Sequence, residues 1–159
     1  MPFFLPRKCK PFFSQIFDQK NRSGTKLRLY FDEYYFCLMV GMAAEKYDEN
    51  AELEHSEITD RYPAEYADSR EYIAGLLFAT ERSRRGIPES DGAALEKLMT
   101  EYIDPNSRTY LNLEGEKRLN QYAARGMEIM LDEMNRPVRL DEFLLEYMEC
   151  FRDGRFMRG

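Results

Sequence analysis

Apolar side chains recur at helical spacing through most of this 159-residue chain. The clearest case runs from Asn112 to Met134, where apolar or small residues return every three or four positions. The face they form comprises Leu119, Tyr122, Ala123, Gly126, Met127, Met130 and Met134. Asn112 is a favoured N-cap residue, and Pro137 follows the last apolar position. The pattern predicts a long amphipathic helix with this face in the core.

Two further helices are predicted earlier in the chain than this long one. The first covers residues 31–47 and is apolar on most of its surface, which indicates a central position. The second is expected to begin near Asp68, which can cap it together with Glu71 three residues later. It should end at Gly86, after a run of arginines that suits the negative end of the helix dipole.

Two shorter helices flank the long one. Ser90 or Asp91 can open the earlier one, and Pro105 stops it. Asp141 is expected to cap the last one. The predicted inward face of this last helix is Leu144, Tyr147, Met148 and Phe151.

The remaining segments carry weaker patterns. Residues 12–17 place phenylalanines and an isoleucine at helical spacing, and residues 25–30 alternate in a way that favours a short strand. Residues 48–60 are rich in acids and are interpreted as a solvated acidic loop. The sequence thus predicts an all-α, single-domain bundle of five to six helices, and it allows one short N-terminal strand.

Composition supports a folded protein without membrane spans. Hydrophobic residues make up 43% of the chain and aromatics 14%, too much for a disordered protein. No run of about 18 apolar residues is present, so no spanning helix is predicted. The three cysteines form no CxxC pair, which favours a reducing, cytoplasmic setting. Cys37 and Cys150 are expected to be buried, whereas the basic neighbours of Cys9 could lower its pKa.

Charge is unevenly distributed along the chain. Residues 1–30 hold seven basic residues and one acid, whereas the rest holds 16 basic and 28 acidic residues. This split predicts three regions: a basic, Phe-rich arm at 1–30, a helical domain at 31–153 and a flexible tail at 154–159. The arm could contact phosphates or a partner protein, or it could complement the acidic body of its own or a neighbouring subunit.

Two groups of residues are candidates for binding. The nucleic-acid or partner-binding candidates are Arg7, Lys8, Lys10, Arg82, Arg84 and Arg85. The arginine cluster can equally be a solvated helix end. The second group surrounds Gly126, which costs about 1 kcal/mol relative to Ala in a helix and therefore needs a reason. Close contact with another helix is the simplest reason, and a ligand groove lined by Tyr122, Arg125 and Gly126 is the alternative.

No reaction signature emerges from the motifs. His55 is the only histidine, so the Glu-x-x-His step that begins at Glu52 lacks the second copy that a di-iron bundle needs. No G-x-S-x-G or phosphate-binding loop is present, and carboxylate pairs cannot be assigned to a catalytic role. We therefore expect no cofactor, no metal and no catalytic residues, and we lean towards a protein that is not an enzyme.

Three segments, taken in order, carry a family resemblance. They are FDEYYFCLMVGM from Phe31, EYIAGLLFATE from Glu71 and LNQYAARGMEIM from Leu119. Over residues 31–134 the chain resembles small helical accessory proteins of bacterial DNA phosphorothioation systems. The resemblance implies a DNA-modification or defence setting, and it implies no catalytic residues.

Two functional hypotheses follow from these observations. The first is a non-enzymatic accessory protein that binds a protein partner or forms a homodimer through the Phe-rich arm. The second is a nucleic-acid-binding module that uses the basic arm and the Arg82–Arg85 cluster. The two differ in whether DNA binding falls steeply with salt.

Overall fold

The structure is a computed structural model that describes residues 2–158, and its chain is mostly helical, as predicted. Within that range it forms six α-helices and two short β-strands. In chain order these are β1 (Phe3–Pro6), α1 (Cys9–Phe13), α2 (Tyr30–Ala44), β2 (Leu53–Thr59), α3 (Arg70–Arg85), α4 (Gly92–Tyr102), α5 (Leu113–Glu133) and α6 (Leu140–Arg152). Short 3-10 turns cover Ser14–Ile16, Ala64–Ser69 and Arg155–Met157.

Helices α2 and α5 cross in close contact at the centre of the molecule. A Cβ atom added to Gly126 would lie 1.7 Å from the carbonyl oxygen of Cys37, and one added to Gly41 would lie 2.0 Å from that of Tyr122. Each glycine therefore lets the opposite backbone approach. The predicted inward face of α5 is buried, and the close-contact interpretation of Gly126 is confirmed.

Several predicted helix ends are confirmed by their hydrogen bonds. The Asn112 side chain accepts a hydrogen bond from the Gly115 amide at 2.9 Å, and that of Asp91 accepts one from the Ala94 amide at 3.1 Å. Gly86 ends α3 with a φ of 64°, a backbone conformation that glycine adopts without strain.

The caps predicted at Asp68 and Asp141 are wrong. The chain already turns through Ala64–Ser69 before α3 starts at Arg70, so Asp68 lies inside a 3-10 turn and not at an extended N-cap. Helix α6 begins at Leu140, which places Asp141 inside the first turn. There its carboxylate accepts hydrogen bonds from Arg139 and from the Glu142 amide.

The N-terminal segment is part of the core and not a separate arm. Its apolar side chains are buried, whereas its basic side chains stay at the surface. The buried residues are Phe3, Leu5, Cys9, Phe12, Phe13 and Ile16. Phenylalanine gains too much from burial to remain in solvent, so the predicted boundary at residue 30 is wrong. Lys8 forms an ion pair with Glu128 of the same chain at 3.0 Å, in line with the alternative of an arm that complements its own acidic body.

Part of the C-terminal segment packs against α6. Arg155–Met157 forms a 3-10 turn, and the side chain of Phe156 is buried against Tyr147 and Phe151. This turn lies within the segment predicted to be a flexible tail. Gly159 of that tail, like Met1 of the predicted arm, lies outside the described residues.

The strands differ from the prediction in place and number. β1 pairs antiparallel with β2, with Phe3 opposite Thr59 and Pro6 opposite Leu53. The predicted acidic loop at 48–60 thus contains a strand, because the N-terminal segment supplies a pairing partner 47 to 56 positions away that no local pattern reveals. In the predicted strand at 25–30, Leu27 forms only an isolated bridge with Phe17.

Helix α6 presents a different face to the core than its sequence predicts. The buried side chains are Phe143, Tyr147 and Cys150, whereas Leu144 is 40% and Met148 is 57% exposed. Phe143 determines which face of α6 is buried. Its ring packs edge-on against the rings of Phe13 and Phe36, with centroids 5.4 and 5.0 Å away.

Substitution of the two interhelical glycines tests the α2–α5 contact. The added methyl group of Gly126→Ala or Gly41→Ala overlaps with a backbone carbonyl oxygen of the other helix. This steric clash forces the helices apart. We expect each to lower the free energy of unfolding by at least about 3 kcal/mol, the upper range for overpacking. Urea unfolding followed by circular dichroism measures this.

Gly75 in α3 is the matched control for this experiment. A Cβ atom there meets nothing within 4 Å. Gly75→Ala should therefore raise the free energy of unfolding by about 0.5–1 kcal/mol through helix propensity. Equal effects at Gly75 and Gly126 would contradict the close crossing.

Candidate functional site

A buried carboxylate on α3 organises a cluster of charged and aromatic side chains. Glu81 is completely buried. Its two oxygens accept hydrogen bonds from Arg84 at 2.8 Å, from Arg118 at 2.8 Å and from Arg85 at 3.2 Å. The Tyr122 hydroxyl donates a further hydrogen bond to it. Glu81 therefore joins the C-terminal end of α3 to the middle of α5.

Aromatic rings and a second carboxylate complete this ionic cluster. The Arg118 guanidinium lies 3.8 Å from the centroid of the Tyr47 ring, a cation–π contact. Arg85 donates to Glu101 at 2.8 Å and to the Tyr102 hydroxyl at 2.8 Å, and both of these residues belong to α4. The cluster thus holds α3, α4 and α5 together.

The arginines keep Glu81 ionised in spite of its burial. Burial by itself would raise the pKa of Glu81, but hydrogen bonds from Arg84 and Tyr122 and the charge of Arg118 lower it to about 2. Burial raises the pKa of the Tyr122 hydroxyl, and so does its hydrogen bond to Glu81. These groups hold fixed protonation states near neutral pH, which suits a structural ionic cluster better than proton transfer.

The predicted Arg82–Arg85 cluster is largely occupied by partners from its own chain. Arg84 and Arg85 pair with Glu81, and Arg82 donates to the Ile87 carbonyl oxygen at 3.1 Å. Glu81, the centre of this cluster, is not among the residues predicted from the sequence. The signal was available, because Glu81 precedes Arg84 and Arg85 by three and four positions and therefore shares a helix face with them.

The predicted basic residues near the N-terminus are exposed but also have partners. The Arg7 guanidinium donates to the Leu53 carbonyl oxygen at 2.9 Å and lies 3.5 Å from the ring of His55. Lys8 pairs with Glu128, and Lys10 lies over the ring of Tyr30. The structure therefore places these three residues beside β2, α5 and α2, not beside the arginines of α3.

The alternative groove at Tyr122, Arg125 and Gly126 is wrong. Tyr122 is completely buried and Gly126 is covered by Cys37, so neither can line an open surface. The prediction failed because the small residues that would make room for a ligand make room for α2 instead.

An open apolar groove lies on another side of the molecule. Helix α2 forms its floor, α3 and α6 form its walls, and its volume is about 380 Å³. The groove is lined by Tyr35, Phe36, Met39, Met42, Ala43, Tyr72, Leu76, Thr80, Tyr147 and Phe151. Tyr72 on the α3 wall is 61% exposed, an unusual position for such a large side chain.

Helix α6, which lines the groove through Tyr147 and Phe151, also has an exposed apolar side. Leu144, Leu145 and Met148 are all at least 40% exposed and follow one another on one side of the helix. Acidic residues surround them, namely Asp141, Glu142, Glu146 and Glu149. We call the groove and this side of α6 together the α6 surface. It combines exposed apolar side chains with negative charge.

Within residues 2–158 we find neither a metal site formed by acidic, histidine and cysteine side chains nor a helix that could span a membrane. The described residues contain no group of three or more His, Cys, Asp or Glu side chains that could hold a metal ion. None of the described helices is long and apolar enough to span a bilayer.

The basic neighbours of Cys9 in sequence do not lower the pKa of its thiol. Its side chain is completely buried, and this burial raises the pKa of the thiol well above its usual value, with the neighbouring Cys37 as a further cause. The basic residues beside Cys9 in sequence point to the surface and do not offset this. Cys37 and Cys150 are buried, as predicted.

Comparison of the chain with known protein families, with curated proteins and with solved structures found no match. The candidate site therefore has to be interpreted from its own residues.

Replacement of Glu81 tests the importance of the ionic cluster. Because its folded pKa of about 2 lies below the 4.5 of a free glutamate, the carboxylate stabilises the native state above pH 4.5, and this contribution is lost as the pH falls towards 2. We expect Glu81→Gln to lower the free energy of unfolding at pH 7 by about 3 kcal/mol. The variant should also lose less stability than the wild type across that pH window, as measured by urea unfolding.

Glu101→Gln is the matched control because Glu101 binds the same Arg85 with a side chain that is 39% exposed. An exposed pair contributes about 1 kcal/mol or less. If the two variants lose equal stability, Glu81 is not the centre of the cluster.

Proposed function

We propose that this protein is a non-enzymatic, cytoplasmic accessory protein that binds a basic amphipathic helix of another protein on its α6 surface. The observation that carries the proposal is the exposed apolar stripe of α6. Leu144, Tyr147, Met148 and Phe151 recur at the spacing of a buried helix face, yet this chain leaves Leu144 and Met148 open to solvent.

The shape of the α6 surface suits a helical ligand. The groove beside α6 is open and apolar, and α6 with its 13 residues is about 20 Å long. An amphipathic helix of three to four turns can place residues i, i+4 and i+7 into such a groove. The contact predicted from the sequence, the Phe-rich arm, is replaced by this surface because most of the apolar side chains of the arm are buried.

Charge favours a basic partner over a second copy of the chain. Glu142 and Glu149 are exposed around the apolar stripe, and Asp141, which pairs with Arg139, lies near its start. Two α6 helices packed against each other would bring these acids together, and like charges in contact oppose association. Lysines or arginines at the edges of a partner helix would pair with them.

The family resemblance suggests where the partner is found. If the chain is an accessory protein of a DNA phosphorothioation system, its partner should be encoded beside DNA-modification genes. The genes that neighbour this one test that setting independently of the α6 surface.

Two synthetic helices with the same apolar face test the proposal. One carries lysines at the edges of the leucine face and the other carries glutamates. We expect the full-length protein to bind the basic helix at least tenfold more tightly than the acidic one at low salt. Leu145→Glu and Met148→Glu should each weaken binding of the basic helix at least tenfold, as measured by fluorescence anisotropy.

Met99→Glu is the matched control, since Met99 is an exposed methionine of α4 outside the α6 surface. It should bind as the wild type does. Equal binding of both helices, equal loss in the control, or a homodimer by light scattering that Met148→Glu dissociates would contradict the proposal. A homodimer of that kind would assign the surface to a second copy.

Nucleic-acid binding stays the alternative function. The exposed side chains of Arg7, Lys8 and Lys10 favour it, whereas the carboxylates already bound to Arg84 and Arg85 weaken the contribution of α3. If the alternative holds, affinity for duplex DNA should fall steeply between 50 and 200 mM salt, on the order of 10³-fold for six phosphate contacts. No retention on DNA at low salt would exclude it.

A further inference from the structure

Three sulfur atoms meet in the core where α1, α2 and α5 come together. The Sγ atoms of Cys9 and Cys37 are 3.5 Å apart, and the Sδ atom of Met127 lies 3.4 Å from the first and 3.6 Å from the second. The three atoms form a nearly equilateral triangle. The residues come from segments far apart in sequence, so only the fold brings them together.

We propose that Cys9, Cys37 and Met127 form a binding site for monovalent copper. Thiolate and thioether sulfurs are soft ligands, and a set without imidazole or carboxylate favours Cu(I) over harder divalent cations. Cys150, the other cysteine, belongs to α6, whereas the residues of the triangle belong to α1, α2 and α5.

The size of the triangle fits a metal ion with little adjustment. In a triangle with sides of 3.4 to 3.6 Å, the centre lies about 2.0 Å from each of the three sulfur atoms. Zinc–thiolate bonds are about 2.3 Å long, and copper needs a similar distance. The ion would therefore sit about 1 Å from the plane, or the sulfurs would spread by a few tenths of an ångström.

A small surface cavity adjoins the site at Met127. Its volume is about 170 Å³, and it is bordered by three acidic residues, Asp48, Glu52 and Glu128, and by two basic ones, Arg7 and Lys8. Its mouth therefore carries both signs of charge, and Lys8 already pairs with Glu128. Met127 would be the first sulfur that a cation meets there. Its thioether contacts both thiols, so the ion could pass to all three ligands.

Binding would change the protonation of the core. Each thiol that coordinates copper gives up its proton, so one Cu⁺ ion replaces two protons in the site. Glu33 lies one helical turn before Cys37, is almost completely buried, and its Oε1 atom has no hydrogen-bond partner. Burial raises the pKa of Glu33 to about 8, so this carboxyl is already mostly protonated near neutral pH and does not take up the released protons, which leave to solvent.

The test is an anaerobic titration of the full-length protein with Cu(I) in acetonitrile, in competition with bicinchoninate. We expect one copper ion per chain and three sulfur neighbours by X-ray absorption. Cys9→Ala and Cys37→Ala should each weaken binding about 100-fold or more, whereas Cys150→Ala should bind as the wild type does. Circular dichroism and cooperative unfolding check that each variant is folded.

Met127→Leu is the decisive variant if a cysteine variant fails to fold, because it conserves volume and hydrophobicity. It should remain folded, bind copper at least tenfold more weakly and show two sulfur neighbours. Wild-type binding no tighter than that of Met127→Leu would overturn the proposal. Nitrogen or oxygen neighbours, or a Cys9–Cys37 disulfide in protein isolated under argon, would overturn it as well.

Discussion

The close crossing of α2 and α5 is the contact on which the other features depend. Gly41 and Gly126 let the two backbones touch, and this approach fixes the side chains on both helices around them. On one side of the crossing, Tyr122 reaches the buried carboxylate of Glu81. On the other side, Cys37 meets Met127. A wider separation of the helices would break the ionic cluster and the sulfur triangle together.

The pKa values of two buried glutamates differ because the side chains around them differ. Glu81 has three arginines and a tyrosine around it, and its pKa falls to about 2 although its side chain is completely buried. Burial raises the pKa of Glu33 to about 8, since the charge of Lys10 offsets the desolvation only in part. Glu81 therefore strengthens the fold as an anion, whereas Glu33 is accommodated mainly as a neutral acid near pH 7.

In both α6 and the N-terminal segment, the apolar residues that are buried differ from those that the sequence predicts to be buried. The phenylalanines of the N-terminal segment are covered by α2 and α6 and leave their basic neighbours outside. Phe143 then takes the inward position of α6, so Leu144 and Met148 remain at the surface. An apolar stripe that its own chain does not cover is a reason to look for a partner.

Local sequence was enough to predict the long helices, the helix ends at Asn112, Asp91 and Gly86, and the inward face of α5, because helical periodicity and capping act within a few residues. It also indicated that Gly126 needs a close neighbour. The pairing of β1 with β2, the rotation of α6 and the partners of Glu81 were decided only in the tertiary structure. Each depends on contacts between residues tens of positions apart. The same holds for the triangle of Cys9, Cys37 and Met127, since no local spacing relates a sulfur in α1 to one in α5.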